Sequence, residues 1–184
     1  MFRDRQPQVE LQLRELCTPD QEAALLANDI QIGFLHPPIH SRLQTQDILA
    51  ESMVLALPEN HPLAAQTTLS IKDLASESFI LFPRDVGPYL YSRILLLCAQ
   101  AGFSPKVAQE VTPQPTMIGL VAAGLGVAFV SESLQSISRP GVIYRKLQEE
   151  TPMLQLAIAW NNESKSSILA NFLHTIQDWP ALTI

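Results

Sequence analysis

Short apolar runs alternate with segments of helical periodicity along the whole chain. Phe79–Phe82 is a continuous apolar run, long enough for a buried strand and too short for a helix. Pro83 and Gly87 interrupt the pattern, and apolar residues then recur at helical spacing from Pro88 to Gly102. Proline suits the first turn of a helix and glycine suits its end, so this stretch predicts a strand, a loop and a helix.

The rest of the chain repeats this order of elements. The other predicted strands are Val9–Leu16, Asp29–Leu35, Glu51–Pro58, Lys106–Val111, Gly126–Val130, Val142–Leu147 and Met153–Trp160. The other predicted helical segments are Pro19–Ala27, Ser70–Ala75, Pro115–Ala123, Glu132–Ser136 and Ser164–Trp179. Strands that alternate with helices indicate an α/β architecture with mostly parallel sheets.

Capping residues mark the start of two helices. Thr18 is predicted to be the N-cap of the first helix, with Pro19 in its first turn. Ser70 is predicted to cap a short helix, with Asp73 at the capping-box position. A cap hydroxyl at a strand end can also face a binding site, and the spacing leaves both roles of Thr18 open.

The loop before Pro88 is the first candidate for ligand binding. A strand that ends in a Pro/Gly loop and opens a helix leaves free backbone N–H groups at the positive end of the helix dipole. Arg84 adds a guanidinium fork to this loop, although a solvated arginine is the alternative. Ligands of parallel α/β sheets bind beyond the carboxyl ends of strands. The strand-end segments are Cys17–Thr18, His36–Pro38, Pro83–Tyr89, Thr112–Thr116 and Ser131.

The sequence contains no recognisable catalytic motif. It lacks Gly-x-Ser-x-Gly, a phosphate loop that ends in Gly-Lys-Ser/Thr, and His-Glu-x-x-His. Gly124 and Gly126 lack the third glycine of a dinucleotide-binding fingerprint, and they follow a helix instead of a strand, so a helix end and a turn are expected. We therefore expect no enzymatic activity and no cofactor.

The histidines and cysteines give little indication of metal binding or reactivity. His36 and His40 are four residues apart, but the prolines between them exclude a shared helical face, so two loop histidines are favoured over a metal site. Cys98 lies on the apolar face of a predicted helix, where a buried structural thiol is favoured. Cys17 lies beside a strand end, and packing is again favoured over reactivity.

Charge and composition exclude several classes of protein. The formal net charge of the 184 residues is −6, which argues against a nucleic-acid surface on this chain. There is no run of 18 apolar residues and no apolar core of a signal peptide near the start, so we expect no membrane span. Two cysteines make no disulfide framework, which favours a cytoplasmic location.

Six motifs follow one another over nearly the whole chain: Val9–Thr18, Asp29–Phe34, Leu57–Ala64, Phe79–Pro83, Ala101–Pro105 and Gly119–Val127. Together, in this order and spacing, they resemble the ligand-sensing domain of LysR-type transcriptional regulators. The Phe-Pro-Arg…Pro-Tyr-Leu-Tyr stretch is similar to the branch that includes regulators of aromatic-compound catabolism. The resemblance implies an α/β, type-2 periplasmic-binding-protein-like fold with two Rossmann-like subdomains around a cleft. Residues 1–57 with 159–184 are expected to form one subdomain, and residues 58–158 the other.

The resemblance also implies a function. The chain is expected to be an effector-sensing and oligomerisation domain that binds a small organic acid, aromatic or aliphatic, in the cleft and associates as a dimer or tetramer. A solute-binding module of a transport system is the alternative on the same fold. The effector-binding residues implied by position are Thr18, His36, Phe82, Pro83, Arg84, Pro88, Tyr89 and Leu90.

The chain departs from the family at its start. Family members begin with a winged helix-turn-helix domain and a linker helix, and neither is present here. DNA binding is therefore expected only through a domain absent from this chain. The first strand of the sensing domain and most of its first helix are also expected to precede this sequence.

Overall fold

The computed structural model describes residues 2–137, 139–163 and 166–177. Its helices are α1 (Phe2–Arg5), α2 (Thr18–Leu26), α3 (Pro88–Gln100), α4 (Gln114–Ala122) and α5 (Ser167–Gln177). Its strands are β1 (Gly33–Leu35), β2 (Leu43–Pro58), β3 (Thr68–Leu69), β4 (Ser78–Leu81), β5 (Lys106–Glu110), β6 (Val127–Ser131), β7 (Val142–Leu147) and β8 (Met153–Asn161). Three 3₁₀ helices complete the fold: Pro62–Ala65, Ile71–Leu74 and Glu132–Ser136.

The chain divides into two compact units. Unit 1 contains residues 1–50 and 155–184, and unit 2 contains residues 51–154. Each change of unit falls inside a continuous strand, β2 or β8, where no local sequence signal marks it. The subdomain crossings expected near residues 57–59 and 157–159 remain a prediction.

Unit 1 is built around an antiparallel pair of strands. Gly33 of β1 lies opposite Ala159 of β8, and Leu35 lies opposite Ala157. Helix α2 buries Leu25 completely against this pair. Burial of apolar side chains on one face of each element is the source of stability here.

The strand predicted at Val9–Leu16 is wrong. Residues 9–17 form no strand pairing within the described part of the chain, and Leu13 is 94% exposed. Apolar and polar residues do alternate there, but a strand also needs a neighbour whose N–H and C=O groups complete the ladder. Alternation alone therefore gave a false prediction.

Unit 2 contains a sheet with a parallel centre. Strand β4 pairs in parallel with β5 on one side and with β6 on the other. Strand β2 pairs antiparallel with β6 and β7, and β3 pairs in parallel with β7. The expectation of mostly parallel sheets is thus too broad. Strand β2 enters from unit 1 and not through a crossover helix, so the rule that makes βαβ neighbours parallel does not apply to it.

Helices cover both faces of this sheet. Phe79 of β4 and Phe129 of β6 are buried on one face with their ring centroids 6.3 Å apart, in the apolar cluster that includes Ile94 of α3. Ile80 of β4 is buried on the other face, in the cluster that includes Val121 of α4. Alternate strand residues thus serve alternate faces, as the side-chain period of a strand requires.

The predicted strand, loop and helix around residues 79–102 are confirmed. Strand β4 ends at Leu81, and α3 begins at Pro88 with Gly87 as its N-cap. Gly102 follows the helix with a φ of +90°, a conformation that glycine adopts at low cost. Cys98 is fully buried in α3, and burial raises the pKa of its thiol to about 11. The prediction of a structural thiol is confirmed.

Glu149 fixes the start of the 3₁₀ helix Ile71–Leu74 from a distant part of unit 2. Its carboxylate accepts hydrogen bonds from the Ser70 hydroxyl at 2.7 Å and from the Ile71 N–H at 2.9 Å. The predicted capping box is also present, since the Asp73 carboxylate accepts from the Ser70 N–H at 2.9 Å. Burial works against the charge of Glu149, but these hydrogen bonds outweigh it and lower the pKa of the carboxyl.

Replacement of Glu149 by glutamine is expected to lower the free energy of unfolding by about 1–2 kcal/mol near neutral pH. Because the folded pKa is lowered, this contribution is complete above the ordinary pKa of 4.5 and is lost as the pH falls through the folded value. Urea unfolding near neutrality and at acidic pH measures both effects. Glu150→Gln is the control, since Glu150 is exposed. Equal losses in the two variants near neutrality would contradict the assignment.

Candidate functional site

The strand ends of unit 2 gather at one edge of its sheet. Strands β4, β5 and β6 are mutually parallel in the order β6-β4-β5, so their carboxyl ends lie on the same side. Residues 82–87 follow β4, residues 111–113 follow β5, and Ser131 is the last residue of β6. Three of the five strand-end segments singled out in the sequence therefore meet along one edge.

Two helices begin at this edge without a side-chain cap. Helix α3 starts at Pro88 after Gly87, and α4 starts at Gln114 after Pro113, and neither N-cap residue makes a side-chain hydrogen bond to the helix. The 3₁₀ helix after Ser70, in contrast, is capped by that side chain. Among the described residues, the N–H groups of Tyr89 and Leu90 in α3 and of Gln114 in α4 are available to an external acceptor. Pro115 has no N–H, and the Thr116 N–H donates to the Pro113 carbonyl at 3.0 Å. Both helix dipoles favour negative charge at these starts.

Arg84 lies in the loop between β4 and α3. It is exposed, and its guanidinium makes no hydrogen bond or ion pair within the described residues. The loop is shaped by a turn in which the Val86 N–H donates to the Pro83 carbonyl at 3.1 Å. The charge of Arg84 is therefore not used to hold the fold.

The apolar residues of this loop divide into two groups. Phe82 and Leu90 are half-buried and pack against the core of unit 2, and the Phe82 ring meets that of Tyr91 edge-on at 6.0 Å. Pro88 and Tyr89 are exposed at the helix start, with 53% of Tyr89 accessible. Phe82 and Leu90 thus support the loop, whereas Tyr89 presents an open aromatic surface.

Gln114 and Ser131, which lie in two of the strand-end segments, form a polar contact that the sequence did not predict. The Ser131 N–H donates to Oε1 of Gln114 at 2.9 Å, and Ser131 is only 6% exposed. The Ser131 hydroxyl lies 3.3 Å from that of Ser133, whose N–H donates to Glu51 at 2.8 Å. The amide of Gln114 is therefore oriented, and its Nε2 keeps its hydrogens for another acceptor. The signal available in the sequence was a polar residue, Ser131, at the end of a fully buried strand.

Thr18 and His36 come together in unit 1. The Thr18 Oγ1 accepts a hydrogen bond from the His36 N–H at 3.3 Å. The predicted capping role of Thr18 is wrong, because α2 begins at Thr18 itself and Cys17 occupies the N-cap position without a side-chain hydrogen bond. The Thr18 hydroxyl is instead turned to the residue that follows β1. The other six predicted site residues lie in unit 2.

Gln21 holds the segments that carry this pair. Its Nε2 donates to the carbonyl oxygens of Leu16 and Phe34, at 2.9 Å in each case. Leu16 immediately precedes Cys17–Thr18, and Phe34 lies two residues before His36. Gln21 thus ties the segment that precedes α2 to strand β1.

Neither cysteine has the surroundings of a nucleophile. The Cys17 thiol donates to the Asp20 carboxylate at 3.0 Å, and this hydrogen bond raises the pKa of the thiol. Within the described residues, no group of three His, Cys, Asp or Glu side chains is placed to hold a metal ion. Among the same residues, no helix has the length and apolar character needed to span a membrane.

The fold and the strand-end geometry define a ligand-binding α/β module. The family model described as the LysR substrate binding domain matches residues 1–181. The chain belongs to this family, and the predicted resemblance is confirmed. The fold is the type-2 periplasmic-binding-protein-like fold with two subdomains, and the chain is an effector-binding domain of a LysR-type regulator.

Curated relatives are transcriptional regulators. The chain is 35% identical over 174 residues to the HTH-type transcriptional regulator AlsR of Bacillus subtilis (strain 168), covering 94% of this chain and 58% of that protein. It is 34% identical over 170 residues to the HTH-type transcriptional regulator CatR of Pseudomonas putida, covering 92% of this chain and 58% of the relative. The chain thus spans less than two thirds of their length. These comparisons do not favour the transport alternative.

Solved structures of the family share the fold. The BenM effector binding domain with its effector benzoate superposes with a TM-score of 0.78 and 26% identity, covering 96% of this chain and 81% of that one. Full-length CbnR complexed with its target DNA has a TM-score of 0.78 and 24% identity over 96% of this chain and 62% of CbnR. The latter similarity concerns the fold alone.

Proposed function

We propose that this effector-binding domain recognises a small organic carboxylate at the carboxyl edge of β4, β5 and β6. The observation that carries the proposal is the pair of helix starts, α3 and α4, that open at this edge without side-chain caps. Arg84 lies beside one of them with its guanidinium unpaired within the described residues. Each of these groups favours an anion.

The groups at this edge differ in how much each is expected to contribute to the binding of an anion. Asp85 follows Arg84 and is also exposed, so the loop has no net charge. Each helix dipole contributes about 0.3–1 kcal/mol to a bound anion, and a hydrogen bond from a charged donor contributes about 1.5–3 kcal/mol. The guanidinium of Arg84 is therefore expected to contribute most to the free energy of anion binding. The helix starts and the Gln114 amide are expected to orient the bound carboxylate.

An aromatic body suits the exposed surface next to this edge. Tyr89 stands at the start of α3 with about half of its surface open. Aromatic rings pack well against such a face, and Tyr adds a polar tip. BenM, which shares the fold and 26% of its residues, binds benzoate. Benzoate is therefore the first probe for this chain.

The regulatory mechanism that we propose is a population shift. An effector that binds one conformation of the domain more tightly than another biases the equilibrium between them. Self-association as a dimer or tetramer would pass this bias to DNA-binding domains elsewhere in the assembly. The domain performs no chemistry on its ligand.

Replacement of Arg84 by alanine is expected to weaken benzoate binding by about 10- to 100-fold, because a charge-assisted hydrogen bond is lost. Isothermal titration of the purified chain measures the dissociation constant. Arg93→Ala is the matched control, since Arg93 is also exposed and lies within α3, beyond its first turn. We expect the control to change affinity less than about twofold.

Benzamide separates charge from shape in the same experiment. It has the ring of benzoate without the negative charge, so we expect little binding to the unaltered chain and little effect of Arg84→Ala. Equal affinity for benzoate and benzamide, or equal losses in the Arg84 and Arg93 variants, would sink the carboxylate proposal.

A further inference from the structure

One hydroxyl group in the interior of unit 2 lacks a hydrogen-bond partner. Tyr144 of β7 packs against the apolar cluster on the α4 face of the sheet, which includes Met117 and Val121 of α4. Its phenol oxygen is buried and makes no hydrogen bond within the described residues. Most buried polar groups in proteins are paired, and an unpaired one destabilises the fold. The Tyr144 hydroxyl is therefore a donor that the folded chain leaves unused.

An arginine with an unpaired charge lies beside the same helix. The guanidinium of Arg139 lies over Gly119 of α4, where an added Cβ would be 3.7 Å from Nη2. Arg139 is exposed, and its guanidinium makes no hydrogen bond or ion pair within the described part of the chain. Burial raises the pKa of the Tyr144 phenol, and the positive charge of Arg139 opposes this rise. The two groups are thus within electrostatic reach of each other.

An acidic side chain on this face is already paired. Lys146 follows Tyr144 by two residues along β7, so both side chains point to the same face of the sheet. The Lys146 Nζ lies 2.6 Å from Oε1 of Glu132. Lys146 thus compensates the charge of Glu132, and the charge of Arg139 has no counter-ion among the described residues.

We propose that Arg139 and Tyr144 form a second anion site, which binds an oxyanion on the flank of α4. The guanidinium supplies charge and several N–H donors, and the phenol supplies one O–H donor. An ionised carboxylate or phosphate presents acceptor oxygens to both groups at once. Rotation of the long Arg139 side chain admits the anion to the buried hydroxyl. The site shares no residue with the carboxyl edge, since Gly119 lies in the second turn of α4 and not at its start.

Amide NMR tests the site by titration with inorganic phosphate in Tris-chloride buffer at constant ionic strength. We expect saturable shifts of the backbone signals of Gly119 and Tyr144. Tyr144→Phe, which removes only the hydroxyl, should weaken phosphate binding by about 2- to 10-fold, and Arg139→Gln by about 10- to 100-fold. Arg93→Gln is the matched control, because Arg93 is exposed on α3, which covers the other face of the sheet. It should change the affinity less than about twofold.

Acetate in the same titration distinguishes the two kinds of oxyanion. Tighter binding of phosphate identifies a phosphorylated ligand, and tighter binding of acetate identifies a carboxylate. Either result supports the site if the Tyr144 and Arg139 variants both weaken the binding. The absence of saturable shifts at Gly119 and Tyr144 with both anions would overturn the proposal, and so would equal weakening in the Arg93 variant.

Urea unfolding in Tris-chloride tests the unpaired hydroxyl without a ligand. We expect Tyr144→Phe to be at least as stable as the unaltered chain, because no hydrogen bond is lost. Phosphate should then stabilise the unaltered chain more than either variant, since its general effect on protein stability is common to all three. A Tyr144→Phe variant that is less stable in chloride would show that the hydroxyl already has a partner in the protein, which overturns the proposal.

Discussion

Replacement of Gly126 by alanine is expected to destabilise unit 2 by more than about 3 kcal/mol, a large part of the ~5–15 kcal/mol that holds a domain folded. A Cβ at this position would collide with the carbonyl oxygen of Ser78, and the backbone φ is +156°. Neither backbone segment can move easily, because Gly126 leads into β6 and Ser78 begins β4. Urea or thermal unfolding measures the loss.

Gly124→Ala is the matched control for this variant. Gly124 lies two residues earlier with a φ of +78°, but a Cβ there meets no atom within 4 Å. Only the strain of the left-handed conformation is added, which costs about 1–2 kcal/mol. If the Gly126 variant lost no more stability than the Gly124 variant, β4 and β6 would leave enough room for a Cβ at Gly126.

Replacement of Phe79 by alanine is expected to lower the free energy of unfolding by about 3–5 kcal/mol, because a large cavity would open in the core. The side chain is fully buried, and its ring centroid lies 6.3 Å from those of both Phe103 and Phe129. Urea unfolding is again the measurement. Phe34→Ala removes the same atoms from a side chain that is 47% exposed. We expect it to cost much less, and similar losses would contradict the assigned core.

The central strand, loop and helix of unit 2 could be predicted because their signals are local. Pro88 fixes its own φ at the start of α3, and Gly102 takes the positive φ that ends the helix. The Ser70 and Asp73 capping box depends on residues three positions apart. Such features are encoded within a few residues, so the sequence pattern identifies them.

Contacts between distant segments could not be predicted in this way. Alternation at residues 9–16 indicates a strand only if a neighbouring strand exists, and that neighbour is not a property of the segment. The hydrogen bond between Gln114 and Ser131 spans 17 residues and joins the start of α4 to the end of β6, which the parallel order of β4, β5 and β6 brings to one edge. The hydrogen bond between the His36 ring and the Gln155 carbonyl joins residues that are 119 positions apart.

The sequence predicted which loops form the candidate site, but not how their side chains are arranged. Arg84, Pro88 and Tyr89 are exposed at the start of α3, which leaves them available to a ligand. Phe82 and Leu90 were selected with them, but both pack against the core. The apolar character of a loop residue does not reveal whether it faces a ligand or the sheet below it.

A benzoate titration followed by amide NMR tests the central claim most directly, because it locates the bound carboxylate without any substitution. We predict the largest shifts in the backbone N–H signals at the starts of α3 and α4 and at Ser131, since these groups surround the carboxyl edge of β4, β5 and β6. Saturable shifts that are largest elsewhere in the chain, for example at Ile71–Leu74, would contradict the proposed site, and so would a spectrum that benzoate leaves unchanged.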